Sequence, residues 1–423
     1  MNRNRALVIG AGISGLLNAR VLSDFFDEVI ILEWDSGSRR DGTPQARHIH
    51  TLLARGRQII ENLYPDFMGE LARCNIPIYD WIKDVHLVQP DGSIANKIST
   101  GIKGLGVSRP ILESLIRELT LKISNIKIEY CTVSGLIIEN AYVRGVQTKD
   151  EDIFADIVID ASGRNSKLCD WLNSAGYGEP DTSIVDPHLG YATRSYRIPD
   201  HVTLDSPSAI IQPERGTYRA AAAMMVEDRK MIITLAGTNK DYAPTEESQF
   251  LAFAQSLSDP IIANWIEDFE PISSISGFRA FNRWHHYERM TLPEHLLITG
   301  DSFCHFNPFY GQGMSVAALE AELLNAMLTG AFPIGEFHRK QAKIVNISWS
   351  ASTIEDMRNP DVTGAERNLA HMLTHKFMDR LLKVSAEDEN TARAFLQVMH
   401  LLKSPISLLH PYILWKMFTH SIN

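Results

Sequence analysis

The stretch RALVIGAGISGLLNARVLSDFFDEVIILE, residues 5–33, decides the fold. An apolar run at 6–9 is followed by a helical pattern from 12 to 22 and by a second apolar run that ends at Glu33. Short apolar runs of this kind are typical of buried strands, and the spacing between them favours one helix. The stretch therefore predicts a strand, a helix and a second strand, which together open an α/β unit.

The turn GAGISG between the first strand and the helix has the pattern of a dinucleotide-binding loop. Gly10 permits a tight turn, Gly12 lets the backbone approach a pyrophosphate, and Gly15 allows the helix to pack closely on the strand. Ser14 lies in the same turn, and Glu33 is placed to accept hydrogen bonds from a ribose. We expect these residues to bind a dinucleotide, and a purely structural turn is the alternative.

A second loop follows the apolar run in ADIVIDASGRNS, residues 155–166. Asp160 ends a predicted strand, and Gly163 lets the loop pass close to a bound cofactor without a side-chain clash. Both residues are predicted cofactor contacts. An ordinary strand-to-helix turn capped by Ser166 explains this pattern equally well.

The third motif is GDSFCHFNPFYGQGMSVAALEAELL, residues 300–324. Asp301 follows a predicted strand, at the end where ligands of α/β sheets gather, and its carboxylate suits polyol hydroxyls such as those of a ribityl chain. Gly311 and Gly313 start a predicted helix from Met314 to Leu328, whose first N–H groups form an anion site. That site would favour the charge that a reduced isoalloxazine ring gains. A glycine-rich helix start used only for packing is the alternative.

The composition of the 423 residues excludes several classes of protein. Apolar residues make up 44% and charged residues 22%, which is unlike a disordered or fibrous chain. A formal charge of −10 without a long basic block argues against nucleic-acid binding. The four cysteines form no CxxC pair, so no metal site and no disulfide framework is expected. Because we find no signal peptide and no spanning run of ~18 apolar residues, we expect a cytoplasmic protein.

Together these motifs resemble the FAD-dependent monooxygenases of the aromatic-hydroxylase type, over about residues 5–400. GAGISG with Glu33, SRPILE around Arg109, DASGR and GDSFCHFNPFYGQG occur in that family's order. The resemblance implies that Asp301 binds the ribityl chain of FAD, Arg109 lines the flavin site and Pro308 lies over the ring. It also implies that Arg40 and PQARHIHTLLARG, residues 44–56, form a loop and helix beside FAD.

The segment 44–56 is most similar to flavin epoxidases of polyether biosynthesis, whose relatives act on other apolar natural products. The resemblance implies a monooxygenase that uses O2 and a C4a-hydroperoxyflavin to epoxidise or hydroxylate an apolar small molecule. An FAD-dependent reductase or dehydrogenase of a prenyl-like or polyene substrate is the alternative enzyme. A non-catalytic FAD-binding sensor and a structural protein with a retained Rossmann domain are the alternatives outside enzymes.

The family motifs are altered in places. Cys304 and Ser315 stand where many aromatic hydroxylases have His and Asn, and DASGRNS replaces the DG motif that is associated with NADPH. NAD(P)H is still the expected reductant, with a separate flavin reductase as the alternative. The WxWxIP pattern of the halogenase relatives is missing, so halogenation is not expected.

The predicted catalytic residues are Pro308, Tyr310 and His48. A phenol substrate benefits from a base, whereas an alkene needs none, and His50 and His305 are further candidates for such a base. A histidine that only serves as scaffold is the alternative in each case. The aromatic residues expected to line an apolar pocket, with ordinary core packing as the alternative, are Phe278, Phe281, Trp284 and Phe309.

The order of the patterns predicts an α/β fold, with a Rossmann-type FAD-binding domain, an inserted antiparallel-sheet substrate domain and a helical C-terminal region. The predicted limits are 1–176 and 291–330 for the FAD-binding domain, 177–290 for the substrate domain and 331–423 for the helical region. Residues 399–418 are expected to close the fold, and docking on a carrier domain or a membrane surface is the alternative.

Overall fold

The computed structural model describes residues 3–35, 47–214 and 216–419. The strands in this part of the chain are β1 Arg5–Ile9, β2 Glu28–Glu33, β3 Ile78–Ile82, β4 Val85–Val88, β5 Ser99–Leu105, β6 Ile126–Tyr130, β7 Val133–Glu139, β8 Tyr142–Thr148, β9 Asp152–Phe154, β10 Ile157–Asp160, β11 Thr182–Arg197, β12 Ser208–Ile211, β13 Arg219–Val226, β14 Lys230–Gly237, β15 Glu270–Pro271, β16 Ser276–His285, β17 Leu296–Ile298 and β18 Cys304–His305. The α-helices are α1 Ile13–Leu22, α2 Ala54–Leu63, α3 Phe67–Arg73, α4 Arg109–Leu121, α5 Leu168–Ser174, α6 Glu247–Gln255, α7 Ile261–Asp268, α8 Gly313–Leu328, α9 Phe337–Asp356, α10 Leu369–Ser385, α11 Glu389–Met399 and α12 Pro411–Thr419.

A five-stranded parallel sheet has the order β17-β10-β1-β2-β6. Its central strands are almost wholly apolar and buried, as expected for strands covered on both faces. The register pairs Ile9 with both Leu32 and Asp160, and Asp160 with Ile298, so these strands end at one level. The loops that follow β1, β2, β10 and β17 therefore meet at the carboxyl edge of the sheet, where ligands of such sheets bind.

A second, larger sheet has the order β18-β16-β11-β14-β13-β12-β4, with β15 paired to β11. All its neighbours are antiparallel except β12 and β4. Two of these strands, β4 and β18, come from sequence outside 177–290. The chain thus ties the two sheets together at β18, which lies between the loop after β17 and the start of α8.

Helix α8 lies at the centre of the molecule, packed against α1, α2 and α9. Its alanines at 317, 318 and 321 are buried, and such small side chains let neighbouring helices approach closely. The last three helices share a separate apolar cluster that includes Leu381, Val384 and Ile413. No helix within residues 3–35, 47–214 and 216–419 is long and apolar enough to cross a membrane.

The predicted fold class is confirmed, and most predicted elements lie within two residues of those observed. Helical spacing in the sequence runs from Pro44 to Leu63, but α2 begins only at Ala54. Residues 47–53 form a loop instead, in which the backbone N–H of Leu53 donates to Ser315 Oγ at 3.1 Å. Tertiary contacts with α8 thus outweigh local helical spacing, and residues 44–46 lie outside the described part of the chain.

Candidate active site

The glycine loop between β1 and α1 is shaped by two close approaches of backbone. Gly10 has φ +97°, and a Cβ there would lie 2.6 Å from the carbonyl oxygen of Ala161. A Cβ on Gly15 would overlap the carbonyl oxygen of Gly10, so only glycine lets α1 pack this closely on β1. Gly12 differs, because no atom of the described residues lies within 4 Å of its Cβ position. The loop therefore leaves open space at Gly12, beside the N-terminus of α1.

Glu33 ends β2 next to this loop. Its side chain is buried, and one carboxylate oxygen accepts a hydrogen bond of 2.8 Å from the backbone N–H of Ala11. The other oxygen accepts from the N–H of Asp35 at 3.1 Å. The carboxylate thus fixes the glycine loop and stands where the sequence predicts a ribose contact.

Ser14 connects α1 to the end of β17. Its hydroxyl donates to Thr299 Oγ1 at 3.0 Å, and Asn18 Nδ2 donates to the same oxygen at 3.0 Å. The Ser14 side chain therefore joins two elements of the sheet edge. Because the Ser14 hydroxyl is already hydrogen-bonded, the predicted contact of Ser14 with a cofactor would be made by its backbone N–H, which lies in the first turn of α1.

Asp160 ends β10 and organises the loop that follows. Burial raises the pKa of this carboxyl group, and its oxygens accept hydrogen bonds from Ser162 and from Ser166 Oγ, the latter at 2.5 Å. Gly163 has φ +88° and open space at its Cβ position, and its N–H donates to Ser302 Oγ at 2.8 Å. Asp160 accepts hydrogen bonds from residues of its own loop, whereas the open Cβ position of Gly163 leaves space beside the backbone.

Asp301 lies in a 3-10 turn, Gly300–Ser302, directly after β17 and is half-buried. Gly300 has φ +63°, and its N–H donates to the carboxylate of Glu320 on α8 at 2.7 Å. Glu320 also accepts from Gln341 Nε2 on α9 at 2.8 Å, and burial raises the pKa of Glu320 to about 7. Two helices therefore anchor the turn that carries Asp301.

Helix α8 begins at Gly313, two residues after Gly311, which has φ +65°. Between them lies the buried Gln312, whose Oε1 has no hydrogen-bond partner among the residues that the structure describes. The Cβ position of Gly313 has no neighbour within 4 Å in the same part of the chain. The Met314 side chain packs in the core, so its backbone N–H is the group that fits the predicted contact. The helix start offers N–H donors and an open approach.

These features fit a bound dinucleotide. Open Cβ positions occur at Gly12 and Gly163, in the loops after β1 and β10 of the parallel sheet, and at Gly313, the first residue of α8. The unpartnered amide oxygen of Gln312 is buried at the start of α8, and the carboxylates of Glu33 and Asp301 lie at the ends of β2 and β17.

The two predicted arginine contacts have different outcomes. Arg40 lies outside the described residues. Arg109 starts α4, where it pairs with Glu113 at 3.2 Å.

Comparison with known proteins gives relatives along nearly the whole chain, although no family model matches. Protein Rv3254 of Mycobacterium tuberculosis is 28% identical over 431 residues, which cover 95% of this chain and 90% of that protein. Kynurenine 3-monooxygenase of Salinispora tropica is 22% identical over 84% of this chain and 81% of its own. Squalene epoxidase 2 of Arabidopsis thaliana is 22% identical over 79% of this chain, which spans only 55% of that protein.

Two solved structures are similar in fold. PqsL of Pseudomonas aeruginosa, a probable FAD-dependent monooxygenase, superposes with a TM-score of 0.67 at 15% identity, and the match covers 85% of this chain and 97% of PqsL. The flavin-dependent brominase Bmp2, as a triple mutant, gives a TM-score of 0.66 at 14% identity and covers 98% and 99%. The chain has the fold and motifs of the FAD-dependent monooxygenases. The resemblance predicted from the motifs is thereby confirmed.

In this monooxygenase fold, Pro308 and Tyr310 lie in a 3-10 turn that Asn307 caps. Asn307 Oδ1 accepts from the hydroxyl of the buried Tyr191 at 2.9 Å. The backbone N–H of Asn307 donates to Asn282 Oδ1 on β16 at 2.7 Å. The turn expected to lie over the flavin is therefore fastened to the large sheet by buried amide groups.

Asp356, the last residue of α9, fastens the same turn from the C-terminal region. Its carboxylate accepts from Asn282 Nδ2 at 2.7 Å, from Asn307 Nδ2 at 3.2 Å and from the Tyr310 hydroxyl at 3.3 Å. Burial raises the pKa of Asp356 to about 7, although these hydrogen bonds favour the charged form. Sequence reasoning missed Asp356, because one acidic residue at the end of a helix belongs to no motif.

A row of rings lies on the large sheet and the loops beside it. The His48 and Phe278 rings are 5.5 Å apart, and the Phe281 and His305 rings are 5.1 Å apart. The guanidinium of Arg164 lies between these pairs, 5.0 Å from the Phe278 ring centre and 5.9 Å from that of Phe281. Arg164 comes from the loop after β10, so this row joins the two sheets. Arg164 was not among the predicted site residues, although it stands inside the DASGR motif.

The two buried histidines of this row are uncharged at neutral pH. Burial lowers the pKa of His48 to about 4, and its Nδ1 lies 2.7 Å from Thr193 Oγ1. His48 Nε2 and both ring nitrogens of His305 lack hydrogen-bond partners among the described residues. Burial, together with Arg164 and Arg283, lowers the pKa of His305 to about 2. These histidines are therefore weak bases with nitrogen atoms to offer a ligand.

The other candidates occupy different surroundings. Trp284 is buried among Trp349, Phe303 and His286, as in ordinary core packing. Phe309 is 41% exposed at the Pro308 turn, and His50 is half-buried in the loop before α2. Phe278 and Phe281 are the predicted pocket residues that the structure brings together with histidines.

Proposed function

We propose that the protein is an FAD-dependent monooxygenase that inserts one oxygen atom from O2 into an apolar small molecule. The observation that carries this is the meeting of the open glycine loops after β1 and β10 with the carboxylate-bearing ends of β2 and β17 at one edge of the parallel sheet. No other place in the described chain combines a pyrophosphate loop, a polyol-binding carboxylate and a helix N-terminus. The monooxygenases among the relatives support this assignment.

The residues that would hold FAD follow from their chemistry. The N–H groups around Gly12 suit its pyrophosphate, Glu33 its adenosine ribose and Asp301 its ribityl chain. The first N–H groups of α8 suit the negative edge of the flavin. When bound, FAD supplies two-electron chemistry with O2, from which one oxygen atom goes to the substrate. NAD(P)H is the proposed electron donor, and a separate flavin reductase is the alternative source.

The substrate side of the site would be kept dry and apolar by the protein. The Pro308 turn is held in place by Asn307 and Asp356, so its position does not depend on a ligand. Phe278 and Phe281 supply apolar surface, and a neutral His48 adds no charge that would attract water. Such surroundings favour an alkene or an aromatic ring as substrate. The names squalene epoxidase and kynurenine 3-monooxygenase among the relatives support oxygen insertion, and epoxidation and hydroxylation are both proposed outcomes.

The test is to purify the protein and follow its flavin absorption, its NAD(P)H oxidation and the transfer of labelled oxygen. We expect bound FAD, NAD(P)H oxidation that rises with apolar alkenes or phenols, and one atom of labelled O2 in the product by mass spectrometry. Product formed equally well without O2 would instead support a reductase of a prenyl-like substrate. A protein that takes up no flavin would refute both enzymes.

A further inference from the structure

The N-terminus of α2 is held by a residue from the C-terminal helical region. The first N–H groups of a helix have no partner within it, and a polar side chain at the N-cap commonly accepts from one of them. The N-cap of α2 is Leu53, whose side chain has no polar atom. His400, the C-cap of α11, takes over this task from a position 346 residues beyond Ala54.

His400 supplies two of the acceptors that this helix start needs. Its Nδ1 accepts a hydrogen bond of 3.1 Å from the backbone N–H of Ala54, and its backbone oxygen accepts one of 3.2 Å from the N–H of Arg55. The N–H of Leu53, just before them, donates to Ser315 Oγ on α8. Helices α8 and α11 therefore hold the start of α2 together.

The surroundings of the His400 ring favour its role as an acceptor. The residue is 2% exposed, and the ring of Trp81 from β3 packs on it edge to face, with the ring centres 5.0 Å apart. Burial, together with the nearby charge of Arg57, lowers the pKa of His400 to about 4, so the ring is neutral at pH 7. A neutral imidazole whose Nδ1 accepts a hydrogen bond carries its proton on Nε2.

The loop before α2, residues 47–53, reaches both sides of the candidate site. Its His48 belongs to the row of rings on the large sheet. Its Thr51 packs against Gly311, where an added Cβ would lie 3.1 Å from the Thr51 Cβ. Gly311 directly follows the Pro308 turn and lies two residues before the start of α8. A shift of the N-terminus of α2 would therefore move groups on the substrate side and on the flavin side.

We propose that His400 is a positioning residue of the monooxygenase. It fixes the start of α2 and, through the loop 47–53, the positions of His48 and Thr51 in the site. This inference rests on the proposed function, because it assigns a role within that site. His400 acts through α2 and not on the reacting atoms, so α11 sets part of the geometry of a site that the two sheets build.

The first measurement is hydrogen exchange at the backbone N–H of Ala54 in the FAD-loaded protein, followed by mass spectrometry of overlapping fragments. His400→Leu removes the acceptor, whereas His400→Asn keeps one, because the asparagine carbonyl oxygen reaches about the position of Nδ1. We expect exchange to be about 5- to 150-fold faster in His400→Leu, which is the range for a buried donor left unsatisfied. Exchange in His400→Asn should stay close to that of wild type.

The matched control is His410→Leu, in the same region of the chain. His410 is exposed, and its Nδ1 also accepts from a backbone N–H, that of Tyr412 at 3.3 Å. This contact is local, so the control loses a similar hydrogen bond without disturbing α2. Exchange at Ala54 should be unchanged in His410→Leu.

The second measurement is the visible circular dichroism of bound FAD, which depends on the groups around the flavin ring. We expect His400→Leu to retain FAD and to show a changed spectrum, whereas His400→Asn and His410→Leu should match wild type. The kcat for oxygen transfer to the alkene or phenol that wild type oxidises should fall about 10- to 100-fold in His400→Leu, because a displacement of about 1 Å has an effect of this size.

Two results would overturn the role of His400. Unchanged exchange in His400→Leu would show that the contact with Ala54 does not hold α2, and faster exchange with an unchanged flavin spectrum would leave His400 a purely structural residue. If His400→Leu does not fold, His400→Gln replaces it, because its carbonyl oxygen lies near Nε2 and not near Nδ1. Wild-type protein without FAD would refute the proposed function as well, whereas wild type with FAD and an indifferent variant would refute this inference alone.

Discussion

Substitution of Gly12 by alanine should separate cofactor binding from folding. Gly12 has φ −72° and ψ 178°, which alanine adopts readily, and its Cβ position has no described neighbour within 4 Å. A Gly→Ala change at a compatible position stabilises a fold by about 0.4–1 kcal/mol through the unfolded state. The apoprotein of Gly12→Ala should therefore be as stable as wild type, or slightly more stable.

FAD binding should respond in the opposite way. If the pyrophosphate fills the open space at Gly12, a methyl group there must displace it or the backbone. Overpacking of this kind costs about 1–3 kcal/mol, which corresponds to roughly 5- to 150-fold weaker FAD binding. Flavin fluorescence titration gives the affinity, and urea unfolding of the apoprotein gives the stability.

Gly15→Ala is the matched control, three residues away in the first turn of α1. Its Cβ would overlap the carbonyl oxygen of Gly10, so α1 would have to move away from β1. We expect a loss of about 3 kcal/mol or more in the stability of the apoprotein. Unchanged FAD affinity in Gly12→Ala would refute the assignment of the pyrophosphate to this loop. If the two variants destabilise the apoprotein equally, the space beside Gly12 is not open.

Three further changes test other parts of the site. Asp301→Ala should abolish FAD binding. The stability of the apoprotein should stay within about 1 kcal/mol of wild type, because Glu320 still anchors the turn. An absorption spectrum that shows full retention of FAD would contradict the proposed role of Asp301 in binding the ribityl chain. Asp356→Asn should lower the free energy of unfolding in urea by about 1–3 kcal/mol, because the new amide N–H2 group would face an N–H2 donor of Asn282 or Asn307. An unchanged urea midpoint would show that this hydrogen-bond network is dispensable. Burial raises the pKa of Glu320 to about 7, whereas the same group in the unfolded chain has a pKa of 4.5. Between pH 4.5 and about pH 7 the folded protein therefore holds a proton that the unfolded chain has released. The free energy of unfolding should thus fall as the pH rises through this range. Glu320→Gln should flatten that part of the pH profile, and an identical slope in both proteins would count against the raised pKa.

Local patterns made the parallel sheet and its loops predictable. Apolar runs that are buried on both faces can be read without tertiary information, as in β1 and β2. The glycine roles could also be inferred, because a positive φ at Gly10 and a close approach at Gly15 restrict the residue type at each position. The structure therefore agrees with the expected loop geometry, while the contacts with FAD itself stay predictions.

Side chains that act across the fold could not be predicted in this way. Ser14 and Met314 stand inside motifs, yet the Ser14 side chain binds Thr299 and that of Met314 packs in the core. Sequence position alone does not tell backbone contacts from side-chain contacts. Glu320 and Asp356 matter because helices distant in sequence bring them under two turns of the site. No periodic pattern in the sequence indicates these contacts between helices and turns, so only the three-dimensional structure shows them.

The helical C-terminal region is part of the site through α9, whose two ends support two different turns. Near its start, Gln341 Nε2 donates to the backbone oxygen of Ile298 at 2.9 Å and to Glu320 at 2.8 Å, which secures the turn that carries Asp301. At its end, Asp356 secures the Pro308 turn. The two residues are 15 positions apart, which is about 22 Å along an α-helix. One rigid helix thus sets the distance between the turn assigned to the ribityl chain and the turn assigned to the flavin ring, so their spacing is fixed before any cofactor binds.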